Sequence, residues 1–512
     1  MQGDVQRDGP WSGRQAGVGL HISSLPGRWG IGEIGPEALA FVDRACRMGL
    51  RVWQFLPTGP TAYGDSPYQP LSTFAGNEML ISIDDLLDIG LLESDEVAPL
   101  AELSRTSVDY AGLIALKQAV LVRAAQRFER VADSALKAAR DAFCERHETA
   151  WLRDYARYRV LKSRHGERPW PEWEARFAQR EPAALARLDA EDGARLERIR
   201  TLQFLFHQQW ARLRAHAADR GLRLFGDLPI YIALDSADAW AQREILWLDT
   251  DGGPQAVAGV PPDYFSADGQ LWGNPLYDWD RLAATGYRWW AARLRAAMEQ
   301  ADLVRIDHFR AFQDYWAVPA AADTARAGRW IDGPGDALFE ALRAELGTLP
   351  VVAENLGLIT PAVEALRVRL GMPGMIVLQF GAADPDFSLD QVAEDCVCYT
   401  GTHDNDTTRG WFEGSPDDLR DADEIRRTRA AALAMTGGRP ETIHLDLIAA
   451  AFATRARLAI APMQDYLGLG SAARMNTPGV PAGNWRWRLD PAAITPELCD
   501  QIAEQVVAAG RV

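Results

Sequence analysis

LVRIDHF, residues 303–309, opens as a buried strand, with Leu303, Val304 and Ile306 as its apolar positions, and closes on an arginine, an aspartate and a histidine. A carboxylate at the tip of a strand, with a guanidinium two residues upstream, is costly to desolvate unless the charges are paired. Two readings fit the stretch. Arg305 and Asp307 form an ion pair that bridges two elements, or Asp307 is a carboxylate kept ionised and aimed at a substrate.

Working outward, seven more short β-rich runs end, like this one, in polar or Gly/Pro residues. They are 18–23, 52–56, 224–232, 351–356, 375–380, 397–403 and 458–464. Helical patterns at 36–48, 279–300, 335–346, 361–370 and 421–435 separate most of them. Alternating strand and helix argues for a parallel sheet, and eight such units argue for a closed (β/α)8 TIM barrel of α/β class. Two interruptions are expected. Residues 83–220 carry Arg/Ala/Leu/Glu-rich amphipathic sequence, read as a helical insertion after the second strand. Residues 233–277 form a long Gly/Pro/Asp/Trp-rich loop insertion at the active-site end. The expected organisation is a polar tail over 1–16 and one catalytic barrel over 17–512, ending in an apolar helix with no C-terminal β-sandwich.

Composition excludes several functions. The formal net charge of -17 and a pI near 5.0 argue against nucleic acid or an anionic membrane as partner. No apolar run reaches membrane-spanning length, and residues 1–17 lack a signal-peptide core, so the cytoplasm is the expected compartment. The cysteines, Cys46, Cys144, Cys396, Cys398 and Cys499, are scattered and do not suggest a disulfide framework. Cys396 and Cys398 are expected on opposite faces of one strand and unable to share a metal. The chain holds 18 Trp. Trp11, Trp29, Trp272, Trp485 and Trp487 sit beside polar or turn residues, where aromatics are expected to offer platforms to sugar rings.

Reactive groups of a barrel gather at the C-terminal ends of its strands. Those ends carry Asp227, then Arg305, Asp307 and His308, then Glu354-Asn355, then His403, Asp404, Asn405 and Asp406, then Gln464-Asp465. Asp307, Glu354 and Asp404 would converge on one pocket. Arg305, with help from His308, is expected to hold Asp307 ionised as a nucleophile. Glu354 follows an apolar run without an adjacent cation, so burial should raise its pKa and suit it to donate a proton. Paired carboxyl groups of this kind are the working parts of glycoside chemistry.

These residues resemble the amylomaltases, the 4-α-glucanotransferases or disproportionating enzymes of the α-amylase barrel superfamily. The resemblance rests on Arg305-Ile306-Asp307-His308, Glu354-Asn355 and His403-Asp404-Asn405-Asp406. It extends to His21 through Pro26, Tyr63 through Tyr68, Gly226 through Ile230, Pro261 through Phe265, Trp272 through Pro275, Leu378-Gln379-Phe380 and Gly483-Asn484-Trp485. It implies Asp307 as nucleophile, Glu354 as acid and base, and Asp404 as transition-state stabiliser. It implies Tyr63, Asp65, Ser66, Asp227, Asp263, Trp272, Arg305, His308, Phe380, His403 and Asn484 as substrate contacts. It implies α-1,4-glucans and maltooligosaccharides as donor and acceptor, glucose as product and acceptor, and neither cofactor nor metal. Ala62 and Glu78 depart from the pattern, where Gly and Pro are expected.

Competing motifs are weaker. Gly30-x-Gly32-x-x-Gly35 has the dinucleotide-binding spacing, but Leu25 through Trp29 part it from its strand and no acidic residue closes the next one. Asp249-x-Asp251-Gly252-Gly253 lacks the later ligands of a calcium loop and reads as a tight turn. The alternatives to transfer are an α-1,4-glucan hydrolase with the same carboxylates and a non-catalytic glucan-binding barrel.

Overall fold

The computed structural model describes residues 13–262, 268–415, 418 and 420–511, with the side chain of Tyr63 outside that description. Eight parallel strands form the expected barrel: Gln15–Gly19, Val52–Gln54, Arg223–Pro229, Leu303–Asp307, Val351–Ala353, Gly374–Val377, Cys396–Tyr399 and Leu458–Pro462. The first strand pairs with both the second and the eighth, and pairing is continuous from the sixth strand round to the fifth. Between the fifth and sixth strands the seam is closed by Ala353 N–H donating to the Pro373 carbonyl at 2.9 Å and Met375 N–H donating to Asn355 Oδ1 at 2.8 Å. Most strands end earlier than the sequence pattern suggests. Their last polar residues turn outward into single helical turns such as Ile22–Ser24, Leu378–Gly381 and Met463–Tyr466.

Side chains alternate along each strand, and this sorts the barrel. Val52, Phe225, Leu303, Val352, Val397, Tyr399, Leu458 and Ile460 pack together inside it. Val304, Ile306, Val351 and Ala353 face the surrounding helices instead. Above the apolar interior the same inward columns continue as Gln54, Asp227, Arg305, Asp307 and Glu354. Cys396 and Cys398 pack together with the helical layer. Contrary to expectation they therefore share the outer face, as residues two apart on a strand do.

The insertion after the second strand is helical as expected, its long members being Tyr110–Val131, Arg153–Arg164 and Gly193–Asp219. Glu78, one of the two departures from the family pattern, accepts from Tyr155 and Gln203 of this insertion, both at 2.8 Å. The glycines of the dinucleotide-like motif serve close packing. A Cβ on Gly32 would lie 2.0 Å from the Ile22 carbonyl oxygen. Asp249 Oδ1 accepts from Asp251 and Gly253 N–H, the tight turn expected there.

Two expectations change. The helix expected over 279–300 is two, Trp279–Ala284 and Arg288–Gln300, parted by Gly286 and Tyr287 at positive φ. The insertion at 233–277 is more than a loop. Its strands Ala256–Val260 and Gln270–Pro275 join Asp314–Pro319 and Arg329–Asp332 in a four-stranded antiparallel sheet. Ala- and Gly-rich segments such as AVAGV have weak β propensity, and only pairing with distant strands makes them extended.

Candidate active site

The third and fourth strands pair in a register that sets Asp227 beside Arg305 and Pro229 beside Asp307. Arg305, 5% exposed, donates from Nη1 to both Asp227 oxygens at 2.9 and 2.7 Å and from Nη2 to Asp307 Oδ1 at 2.8 Å. Burial opposes its charge, but the paired Asp227 and Asp307 outweigh burial and hold the guanidinium well above its ordinary value. The Asp227 side chain has no exposed surface, whereas that of Asp307 is 31% exposed. Asp227 is thus the buried counter-ion, and Asp307 reaches the open cleft. The ion-pair reading of LVRIDHF holds, and the pair leaves the Asp307 carboxyl group partly exposed.

Just after the strand the backbone of His308 turns into the left-handed region, φ 53° and ψ 49°. A non-glycine residue in that region is held there by its surroundings. Here the turn aims His308 N–H at Glu354 Oε2, 2.7 Å away, while Phe309 N–H donates to the Glu354 carbonyl at 3.1 Å. Leu356 N–H donates to the other carboxyl oxygen at 2.6 Å. Burial, opposed by Arg305 and reinforced by Asp307, pushes the Glu354 carboxyl up to about 7. The rise is as expected, but Arg305 does act on Glu354 as a nearby cation. The imidazole of His308 is pushed down to about 4 by burial against the pull of Asp307. It is neutral at ordinary pH and does not help to charge-stabilise Asp307 as expected.

Asp404 comes from the loop after the seventh strand, with its side chain 46% exposed. Asn476 donates to its Oδ1 at 2.6 Å, His403 Nε2 lies 3.3 Å from the same oxygen, and Arg474 donates to its carbonyl at 2.7 Å. Asn405 and Asp406 turn back into the protein. Asn405 Oδ1 accepts from Thr402, and Asp406 accepts from Ser471 at 2.6 Å. Asp465 likewise accepts from Thr400 and twice from Thr408.

One connecting residue is absent from the sequence-based set. The Tyr68 hydroxyl donates to Asp227 Oδ2 at 2.7 Å, and its ring stacks on His403 with centroids 5.0 Å apart and planes at 20°. It therefore joins the Asp227–Arg305–Asp307 arm to the His403–Asp404 arm. Burial and the nearby Asp227 keep its hydroxyl protonated far above the ordinary phenol range. It lies in the Tyr63-through-Tyr68 stretch of the resemblance, but its connecting role shows only in the fold, because its partners lie 159 and 335 residues away. Asn476 was missed for the same reason.

The remaining candidates divide. Trp272 meets His308 edge to face at 4.7 Å. Phe380, in the single turn Leu378–Gly381 after the sixth strand, is 52% exposed. Ser66 Oγ accepts from Tyr68 N–H at 3.2 Å and so shapes the turn below the site. Asp65, at φ 56°, has its carboxyl raised by burial against the pull of Arg486, which places it on the side of the late loop. Asn484 spends its amide on that loop, bonded to Thr477 and Val480. Asp263, Tyr264 and Phe265 lie outside the described residues, as do Trp11 and the Tyr63 side chain. Trp29 and Trp485 are each 4% exposed, core residues and not the platforms expected.

A pocket opens beside these groups, lined by His21, Gln54, Arg305, His403, Arg474 and Met475 among others. His21 is neutral, pushed down to about 3 by burial and by His403. No group of three metal-binding side chains occurs among the described residues. Chemically, the site presents one carboxyl group poised to hold a proton near neutrality and another, bonded to a buried arginine, that reaches into the cleft.

The model of a family described as 4-alpha-glucanotransferase matches residues 20–494. A 4-alpha-glucanotransferase of Thermus thermophilus is 44% identical over 489 residues, covering 94% of this chain and 96% of the relative. One of Streptococcus pneumoniae is 42% identical over 492 residues, covering 95% of each. An amylomaltase from Streptococcus agalactiae, solved in complex with acarbose, superposes with a TM-score of 0.91 at 36% identity, covering 97% of this chain and 99% of that one.

Proposed function

The chain belongs to the 4-alpha-glucanotransferase family and acts on α-1,4-glucans, and we propose that it does so by a retaining double displacement run by Asp307, Glu354 and Asp404. Glu354 gives its proton to the glycosidic oxygen while Asp307 attacks the anomeric carbon. The carbon–oxygen bond breaks, the trailing glucan leaves as a free 4-hydroxyl, and a glucosyl ester forms on Asp307. Glu354, now a carboxylate, takes the proton of an incoming sugar 4-hydroxyl. That oxygen attacks the ester carbon and frees Asp307. Asp404, braced by Asn476 and His403, faces the positive charge that develops on the sugar ring. Maltooligosaccharides serve as donor and acceptor, and glucose as product and acceptor. The acarbose complex of the solved relative supports a cleft of this chemistry. The cytoplasm is the proposed compartment. No helix among the described residues is long and apolar enough to cross a membrane.

The observation that carries this reading is the division of labour between the two carboxyl groups: Glu354 raised to about 7 by burial, and Asp307 hydrogen-bonded to Arg305 at 2.8 Å. Unlike environments of this kind assign the acid and the nucleophile. Incubation with maltotriose alone tests it. A ladder of longer maltodextrins with glucose is the expected outcome. Glucose and maltose alone would mean hydrolysis, and binding without turnover would mean a lectin-like barrel. Asp307→Asn should abolish the ladder. A ladder that survives the change would remove Asp307 from the role of nucleophile.

A further inference from the structure

The outer face of the antiparallel sheet carries a feature the reaction does not use. Register pairs Trp330 with Trp316 and Asp314 with Asp332, so these residues share one side. The rings of Trp316 and Trp330 meet at 5.1 Å and 65°. The Arg310 guanidinium lies 3.9 Å from the Trp330 ring centroid and bonds to Asp314 and to the Leu358 carbonyl. Arg310 itself is only 5% exposed. The Trp330 ring is therefore held in place, yet the residue is 41% exposed, and Leu358, whose carbonyl accepts from the same Arg310, is 57% exposed. A fixed aromatic surface with an apolar flank matches the flat C–H face of a sugar ring.

This surface is tied to the acid. Arg310 follows His308 and Phe309, whose N–H groups donate to the Glu354 carboxyl and carbonyl. Leu358 lies four residues beyond Glu354, within about 14 Å along the extended chain. A general acid touches the oxygen that joins donor and acceptor sugars, so a chain running outward on its side is the acceptor chain. We propose that Trp330 and Leu358 form an outer subsite for the acceptor glucan, reached only by chains several units long. The inference rests on Glu354 being the acid.

The test holds maltotriose as saturating donor and compares glucose with maltoheptaose labelled at its reducing end as acceptors. Trp330→Ala should raise KM for maltoheptaose by roughly tenfold, about the gain of one stacking contact, and Leu358→Ala should raise it by a smaller factor through lost apolar contact, with transfer to glucose unchanged in both. Leu358→Ala keeps the carbonyl that Arg310 uses, so it reports even where Trp330→Ala disturbs the turn. Unchanged KM for both acceptors in both variants, or equal losses with both acceptors, would overturn the proposal. Failure of the underlying reading shows separately, as absence of transfer to glucose in the unaltered protein.

Discussion

At the scale of single residues, the proposed mechanism rests on two carboxyl groups on neighbouring strands with unlike surroundings. As the proposed acid, Glu354 must be protonated, and its carboxyl is pushed up to about 7. The proton-bearing fraction falls as pH rises through that value, so kcat/KM should show an alkaline limb near 7, read from a pH profile of the first transfer step. Glu354→Gln should lower transfer from maltotriose about 100- to 10,000-fold. A donor such as α-glucosyl fluoride, whose leaving group needs no proton, should still form the ester. Tyr68 is expected to act as a positioning residue. Tyr68→Phe keeps the stack on His403 but removes the hydrogen bond to Asp227. A hydrogen bond to a charged group is worth about 1.5–3 kcal/mol, so kcat should fall roughly ten- to a hundredfold. KM and the melting temperature should change little. A large rise in KM with kcat unchanged would place Tyr68 in sugar binding instead.

At the scale of elements, the helical insertion must be anchored to the barrel it walls. Lys117, on Tyr110–Val131, reaches Glu33 from the loop after the first strand, and their side chains are 0% and 9% exposed. Glu33 Oε2 also accepts from Ile83 N–H at 3.0 Å at the start of the insertion. Burial works against both charges, raising Glu33 to about 7 and lowering Lys117. Removing one partner of such a pair leaves an uncompensated buried charge, so Lys117→Met should cost about 3–5 kcal/mol. The sign of its pH dependence follows. With the folded-state pKa of Glu33 above its unfolded value, protonation stabilises the variant at low pH, and that contribution is lost as pH rises through about 7 or higher. Melting temperatures of the variant should therefore be higher at pH 5 than at pH 8. Adding Glu33→Gln should recover most of the loss. A pH-independent loss would mean that Lys117 matters only through packing.

At the scale of the whole molecule, the barrel is a ring of eight strands with one weak seam, and Asn355 spans it. Asn355→Leu leaves the Met375 N–H without its acceptor, a loss of about 1–3 kcal/mol. The expected result is a lower melting temperature together with lower activity, since Glu354 is the adjoining residue. A lower melting temperature with full activity would mean that the seam does not hold the acid in place. Much of this molecule was legible along the chain. The period-two alternation of LVRIDHF, the matching polar tips of the other strands and the helical spacing of the insertion depend on neighbours a few residues apart, and they determined the barrel, the carboxyl groups and the role of burial at Glu354. The second sheet, the break at Gly286-Tyr287, the double duty of Arg305, the neutral state of His308 and the clamp made by Tyr68 were decided only by the tertiary structure. Each depends on a partner or an environment that a distant segment supplies. Local sequence carries periodicity and chemical type, whereas hydrogen-bond partners and dielectric surroundings exist only once the barrel has closed.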